Sequence, residues 1–188
     1  MNVLSGYFSL VFILCLIVVT LTLYCRYLKR KLLRYESKRP KVKYIENHSR
    51  RYYINLFSKY KDKLNIVDNM SGIDFEGFCA GAIKCMGFNN IYATKATGDF
   101  GVDLIADKDG MTYAIQCKCY SKPVGVSAIQ EVYSGCRFYD CDAAIVISNR
   151  NYTKAANELA NSLGVTLYGR KWIVEAINAF MKYYSKGR

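Results

Sequence analysis

The sequence contains a single histidine in 188 residues, His48, and no Cys-x-x-Cys pair among its eight cysteines. Mechanisms that need two histidines, and zinc sites with the usual ligand spacing, are therefore disfavoured. No Gly-rich loop ends in Gly-Lys-Ser or Gly-Lys-Thr, so an ATP-driven motor is not supported. Cysteines at apolar positions without a pairing pattern favour reduced thiols over a disulfide framework.

Charged residues are also missing from the N-terminal run Val3 to Cys25, which is rich in Leu, Val, Ile and Phe. A helix of that length spans about 34 Å, enough to cross a bilayer. Tyr7 and Tyr24, near its two ends, suit the membrane interfaces. A cleaved signal peptide is the alternative, but no Lys or Arg precedes the run and no small-residue cleavage site follows it. We expect an uncleaved transmembrane anchor at residues 1–25.

Positive charge is concentrated directly after this run. From Arg26 to Lys63 the chain has 14 Lys and Arg against 3 Asp and Glu, whereas Leu64 to Arg188 has 13 against 12. The positive-inside rule then predicts a single-pass protein with its C-terminal part in the cytoplasm. We predict a basic juxtamembrane connector at residues 26–67, followed by a folded domain at residues 68–188.

The connector also has apolar residues at helical spacing, among them Tyr53 and Phe57. A basic segment with aromatic residues can rest on anionic lipid or contact a nucleic-acid backbone. A solvated stalk is the alternative. The candidate nucleic-acid-binding residues are Arg50, Arg51, Lys59, Lys61 and Lys63.

Helical and strand patterns alternate in the folded part. Ser71 with Asp74 resembles a capping box that opens a helix, and Gly87 ends it. Ser127 and Thr153 are predicted to cap two later helices. The other predicted elements are strands at 91–94, near Asp103, at 113–119, at 143–148 and at 165–168, and a closing helix at 172–183. This order predicts an α/β fold with a mixed sheet between helices.

Two neighbouring predicted strands bring candidate site residues together. Gly98 to Gly101 reads as a turn that delivers Asp103 onto one strand, and Asp107 to Gly110 supplies hairpin-turn residues. On the partner strand, alternation directs Gln116 and Lys118 to the same face. A carboxylate, an amide oxygen and an ammonium side by side suit a hard divalent cation and a phosphate. An ordinary polar hairpin is the alternative.

On that element order, Phe75-Glu76, Gly98 to Asp103 and Gln116-Cys117-Lys118 resemble the catalytic domain of Mrr-type restriction endonucleases. These are type IV restriction enzymes of the PD-(D/E)xK nuclease superfamily, and the resemblance covers about residues 69–175. It implies a restriction-endonuclease-like fold and hydrolysis of DNA phosphodiester bonds. It also implies Mg²⁺ as the cofactor, with Mn²⁺ as a substitute.

The resemblance assigns roles to individual residues. Asp103 would bind the metal directly, Gln116 through its amide oxygen, and Cys117 through its backbone carbonyl. Mrr-like members characteristically have Gln where the superfamily usually has Asp or Glu. Lys118 would position or help deprotonate the attacking water and offset charge in the transition state. Glu76 would act through a water molecule or orient Lys118; without the resemblance, it reads as a solvated first-turn acid.

The sequence departs from the Mrr pattern at its N-terminus. Mrr proteins have a DNA-recognition domain there, whereas this chain has the anchor and the connector, so a preference for methylated DNA does not transfer. We expect a membrane-anchored endonuclease that restricts foreign or modified DNA, with a homodimer left open and lipid contacts at residues 3–25 and the connector. The alternative is an inactive nuclease-fold module that tethers DNA or a protein partner to the membrane. The cysteine spacing argues against a third reading, an iron–sulfur nuclease.

Overall fold

The computed structural model describes residues 2–38, 46–59, 61–94 and 100–185. The chain divides into two compact units. The first contains helix α1 (Asn2–Lys38), and the second contains all later elements. Within α1, the segment Phe12–Arg30 is long and apolar enough to cross a membrane, and none of it is buried. Length and composition do not separate a membrane span from a signal sequence near the N-terminus. Helix α1 is therefore a candidate membrane span.

The second unit begins with three helices and continues with a sheet whose later strands alternate with helices. The helices are α2 (Glu46–Lys59), α3 (Lys63–Asp68), α4 (Gly72–Cys85), α5 (Val126–Phe138), α6 (Lys154–Leu163) and α7 (Arg170–Ser185). The strands are β1 (Asn89–Ala93), β2 (Leu104–Lys108), β3 (Met111–Lys118), β4 (Ala143–Ser148) and β5 (Val165–Tyr168). From α4 onward, this order is the predicted one.

The five strands form one mixed sheet in the order β1-β2-β3-β4-β5. The pairs β1–β2 and β2–β3 are antiparallel, whereas β3–β4 and β4–β5 are parallel. The β2–β3 hairpin turns at Asp109 and Gly110, which both have positive φ angles, 51° and 79°. This backbone conformation is typical of a tight hairpin turn. The mixed α/β sheet and the hairpin that joins the two candidate site strands are confirmed.

Helices cover both faces of the sheet. Helices α4 and α7 cover one face, where Leu104 and Ile115 belong to the core, and α2 packs on these two helices. Helices α5 and α6 bury the other face, where Ile105 and Ala114 belong to a second core. Neighbouring side chains on one strand therefore point into different cores on opposite faces of the sheet, as the alternation of strand side chains requires.

Helix α2 belongs to the folded unit, although it lies within the predicted connector. Tyr53 and Phe57 are 3% and 0% exposed. Their rings contact the rings of Phe78 on α4 and Phe180 on α7. The folded unit therefore begins before residue 68. The positive charge of the segment suggested a solvated connector. Its apolar residues, however, recur at helical spacing, so Tyr53 and Phe57 lie on the same side of α2 and pack between α4 and α7. Burial of these aromatic rings outweighs the cost of ordering the helix.

Two of the three predicted helix caps are confirmed. The hydroxyls of Ser71 and Thr153 accept hydrogen bonds of 3.2 Å from the backbone amides of Asp74 and Ala156. The prediction for Ser127 is wrong, because α5 begins at Val126 and Gly125 occupies the cap position without a side-chain hydrogen bond. A backbone hydrogen bond from Val124 to the carbonyl of Asn151 fixes where the chain turns into α5.

Candidate active site at the paired ends of β2 and β3

The segment before Asp103 packs directly on helix α5. Gly98 and Asp99, which belong to the predicted turn, lie outside the described residues. Gly101 has a φ angle of 74°, and a Cβ there would lie 2.5 Å from the Cβ of Glu131. A Cβ on Gly135, one helical turn further along α5, would lie 2.5 Å from the carbonyl oxygen of Phe100. Two glycines therefore allow this segment to lie against α5.

Hydrogen bonds fix Asp103 at the start of β2. Its backbone amide donates to the carbonyl of Ile115 and its own carbonyl accepts from Thr94, both at 2.9 Å. Its carboxylate oxygen Oδ2 accepts a hydrogen bond of 2.6 Å from the backbone amide of Cys117. The carboxylate therefore lies against the end of β3, at the residue between Gln116 and Lys118.

Gln116 and Lys118 converge on one oxygen of helix α5. Gln116 is 1% exposed, and its Nε2 donates a hydrogen bond of 2.8 Å to Oε2 of Glu131. The Nζ of Lys118 lies 3.1 Å from the same Oε2. The two side chains therefore share a face of the sheet, as the strand alternation predicted.

The ion pair between Lys118 and Glu131 holds both groups in their charged forms. Burial alone would lower the pKa of Lys118, but the hydrogen bond to Glu131 and its charge raise it above the ordinary value. Burial would likewise raise the pKa of Glu131, but hydrogen bonds from Gln116 and Lys118 lower it. Lys118 is therefore an ammonium at neutral pH, held next to the Asp103 strand.

The amide of Gln116 is oriented with its nitrogen toward Glu131. Its Oε1 is buried and has no hydrogen-bond partner among the described residues. A buried carbonyl oxygen without a partner costs free energy unless a ligand or water satisfies it. Amide and carboxylate oxygens are ligands that Mg²⁺ accepts, so Gln116 and the neighbouring Asp103 fit a hard cation. Among the described residues, no three His, Cys, Asp or Glu side chains are arranged so that they could hold a metal ion by themselves.

Cys117 points away from Gln116, toward helix α4. Burial raises the pKa of its thiol well above the ordinary value, and a hydrogen bond with Cys79 raises it further. The carboxylates of Asp103 and Glu76 act in the same direction. The thiol is therefore neutral and is not a thiolate ligand. Glu76 is a half-buried residue of α4, and α4 packs against β3.

The predicted nucleic-acid-binding residues belong to the segment that contains α2 and α3. Lys59 and Lys61 are exposed, and Lys63 is partly buried at the first position of α3. The side chains of Arg50 and Arg51 lie outside the described ones. Hydrogen bonds thus connect Asp103, Gln116, Cys117 and Lys118 to one another or to α5.

Sequence reasoning missed Glu131. Its neighbours Ile129 and Val132 mark the buried face of α5, and Glu131 reads as one of several polar residues beside that face. Glu131 and Gln130 are both exposed, and no local pattern distinguishes them. Only the packing of α5 against the sheet brings it to Gln116 and Lys118.

A second polar network, also missed, lies beside the C-terminal ends of β3 and β4. Asp68, at the end of α3, forms ion pairs with Arg150 at 3.0 Å and with Arg170 at 2.5 Å. Asn149 donates a hydrogen bond of 3.0 Å to Asp68 and accepts one of 2.8 Å from the backbone amide of Tyr120. This network joins α3, α7 and the segments that follow β3 and β4.

Comparisons with known proteins identify a family that matches this chain. The model of the Mrr catalytic-domain family, described as restriction endonuclease, matches residues 67–177. An uncharacterized protein of Archaeoglobus fulgidus is 27% identical over 73 residues, which cover 36% of this chain and 42% of the relative. The chain therefore matches less than half the length of that relative.

Two solved restriction endonucleases resemble the chain in structure. The DNA modification-dependent restriction endonuclease AspBHI has a TM-score of 0.46 and 17% identity, over 81% of this chain and 42% of that chain. MspJI, solved in complex with a 27-mer oligonucleotide, has a TM-score of 0.47 and 14% identity, over 81% of this chain and 35% of that chain. Because the family model covers more than half of the sequence, the chain belongs to the Mrr catalytic-domain family of restriction endonucleases.

Proposed function

We propose that this protein is a membrane-anchored, divalent-metal-dependent DNA endonuclease whose site consists of Asp103, Gln116, Lys118 and Glu76. The observation that carries the proposal is that Asp103 and Gln116-Cys117-Lys118 lie at paired strand ends inside the segment that matches the nuclease family. The buried, unpartnered Oε1 of Gln116 supports a cation at this position.

Each residue has a distinct role in this proposal. Asp103 and Gln116 hold Mg²⁺ or Mn²⁺ through side-chain oxygens, and Cys117 contributes its backbone carbonyl. When bound, the cation activates water and neutralises charge on the phosphodiester. Lys118 supplies a second positive charge where negative charge develops on the phosphate, and Glu76 orients water or Lys118.

The membrane part of the proposal rests on α1. The segment Phe12–Arg30 has the length and composition of a membrane span, and basic residues follow Cys25 directly. We infer a single-pass anchor with the nuclease unit in the cytoplasm. The exposed Lys59 and Lys61 would then contact either the DNA backbone or anionic lipid.

The test is cleavage of supercoiled plasmid by the detergent-solubilised full chain, with Mg²⁺, Mn²⁺ or EDTA. We expect metal-dependent nicking or linearisation that Asp103→Ala and Lys118→Ala each reduce by about 100-fold or more. Lys122→Ala is the matched control, because Lys122 is an exposed lysine four residues from Lys118. Both modified and unmodified plasmid should be used, since the modification preference is open.

A different result would favour the tethering module. If the folded chain binds plasmid but cuts neither modified nor unmodified DNA with either metal, the endonuclease proposal fails. Salt-sensitive DNA binding that survives Lys118→Ala would then indicate a DNA-tethering function. Insertion of α1 is tested separately by carbonate extraction of membranes, from which a spanning chain is not released.

A further inference from the structure

We propose that Glu131 is a positioning residue that presents the Oε1 of Gln116 to the divalent cation, an inference that rests on the proposed function. Gln116 can hold a cation only through Oε1, because its Nε2 is a donor without a lone pair for a metal. A neutral amide can turn either end toward a site. A neighbouring group must therefore fix the orientation of the amide, so that Oε1 faces the cation.

The negative charge of Glu131 determines the orientation of the Gln116 amide. An ionised carboxylate accepts hydrogen bonds and cannot donate them, so it selects the Nε2 end of the amide. The observed contact is Nε2 to Oε2 at 2.8 Å. The Oε1 of Gln116 is consequently directed away from Glu131, and it is the buried atom that lacks a partner among the described residues.

The same oxygen of Glu131 also sets the position of Lys118. The Nζ of Lys118 lies 3.1 Å from Oε2 of Glu131, and the side chain of Lys118 is 20% exposed. One carboxylate oxygen thus fixes the amide and the ammonium relative to each other. A surface ion pair formed for stability alone contributes little and does not require the buried amide of Gln116 as a further partner.

The backbone of α5 at Glu131 is in turn held by the segment that leads to Asp103. Gly101 approaches so closely that a Cβ there would lie 2.5 Å from the Cβ of Glu131 and 3.0 Å from Nε2 of Gln116. The contact between Gly101 and Glu131 therefore influences both candidate ligands. Gly101 is two residues from Asp103 in the chain, and Glu131 holds the amide of Gln116. Conserving the Cβ in a test variant preserves this contact.

The experiment measures Mn²⁺ affinity of the detergent-solubilised full chain by the electron paramagnetic resonance signal of free Mn²⁺. Glu131→Ala keeps the Cβ and removes the acceptor, and we expect it to weaken Mn²⁺ binding about tenfold or more. Glu131→Gln keeps an acceptor oxygen and should lose less. Glu158→Ala is the matched control, because Glu158 is an exposed helical glutamate paired with a lysine.

A second background separates positioning from a purely structural role. Gln116→Glu replaces the amide by a carboxylate, which offers an oxygen from either end and needs no orienting partner. In that background we expect Glu131→Ala to leave Mn²⁺ affinity unchanged or to raise it, because two carboxylates no longer repel each other. An equal loss in both backgrounds, or no loss in the native background, overturns the inference.

The result is distinguishable from failure of the proposed function. A native chain that binds Mn²⁺ but cuts no DNA contradicts the nuclease proposal, while the comparison of the two backgrounds still decides the role of Glu131. A folded native chain that binds no Mn²⁺ overturns the inference about Glu131 as well. Fluorescence of the single tryptophan, the buried Trp172, checks that every variant is folded.

Discussion

The carboxylate of Asp103 accepts a hydrogen bond of 2.6 Å from the backbone amide of Cys117, on the neighbouring strand. This bond connects the first residue before β2 to the end of β3 and holds a charged oxygen beside the buried amide of Gln116. Charge-assisted bonds of this kind are stronger than neutral ones, so they restrict side-chain position. The site residues are thus aligned by the backbone of the hairpin itself.

Asp103→Asn separates the hydrogen bond to Cys117 from the negative charge of the Asp103 carboxylate. Asparagine keeps an acceptor oxygen for the amide of Cys117, so we expect the unfolding free energy to change by about 1 kcal/mol or less. Cleavage of plasmid should fall about 100-fold or more, because a neutral amide holds a divalent cation weakly. Retained cleavage in a stably folded Asp103→Asn variant would remove Asp103 from the proposed site.

Gly101→Ala tests the close approach between the Asp103 segment and α5. Gly110→Ala is its matched control, because the two glycines have similar positive φ angles, 74° and 79°, but nothing lies within 4 Å of a Cβ on Gly110. Both variants should lose roughly 1 kcal/mol of stability to backbone strain. Gly101→Ala should lose more and should also reduce cleavage, since the added methyl group displaces Glu131. Equal stability and equal activity in thermal unfolding and plasmid assays would contradict the packing argument.

Asp68→Asn tests the network beside β4. Burial alone would raise the pKa of Asp68, but hydrogen bonds from Arg170 and Asn149 and the charges of Arg170 and Arg150 lower it below the usual 3.8. Folding therefore favours the ionised form, and this stabilisation is complete above pH 3.8 and declines as the pH falls through the lower folded-state value.

We expect Asp68→Asn to cost about 2 kcal/mol near pH 6, because two arginines lose their partner. The difference between the native chain and the variant should shrink as the pH falls below 3.8 and through the lower folded-state pKa of Asp68. Urea unfolding followed by Trp172 fluorescence at several pH values measures both. A difference that stays constant down to pH 2.5 would show that Asp68 contributes no ionic stabilisation.

Phe57→Ala tests whether α2 is part of the folded unit. Phe57 is fully buried among aromatic rings, so its truncation should cost about 3 to 5 kcal/mol and lower the unfolding temperature accordingly. Tyr52→Ala on the same helix is the control, because Tyr52 is 54% exposed and its loss should change stability by about 0.5 kcal/mol or less. Equal, small effects would mean that α2 behaves as a stalk.

Local patterns predicted most of the fold. Ser71, Thr153 and the Asp109-Gly110 turn act through hydrogen bonds and backbone angles within a few residues, so the sequence shows them directly. Strand alternation likewise predicted that Gln116 and Lys118 share a face. The Ser127 cap failed because a contact with a distant segment, Val124 to Asn151, sets the start of α5.

The sequence by itself determined the element order from α4 onward, the mixed sheet, the candidate membrane helix and the positions of Asp103, Gln116 and Lys118 at neighbouring strand ends. Each of these depends on residue periodicity, caps or turns over short stretches of chain. Only the tertiary structure decided that α2 enters the core and that Glu131 meets Gln116 and Lys118. Those contacts join residues that are 13 or more positions apart, and packing between whole elements, which no local pattern encodes, brings them together.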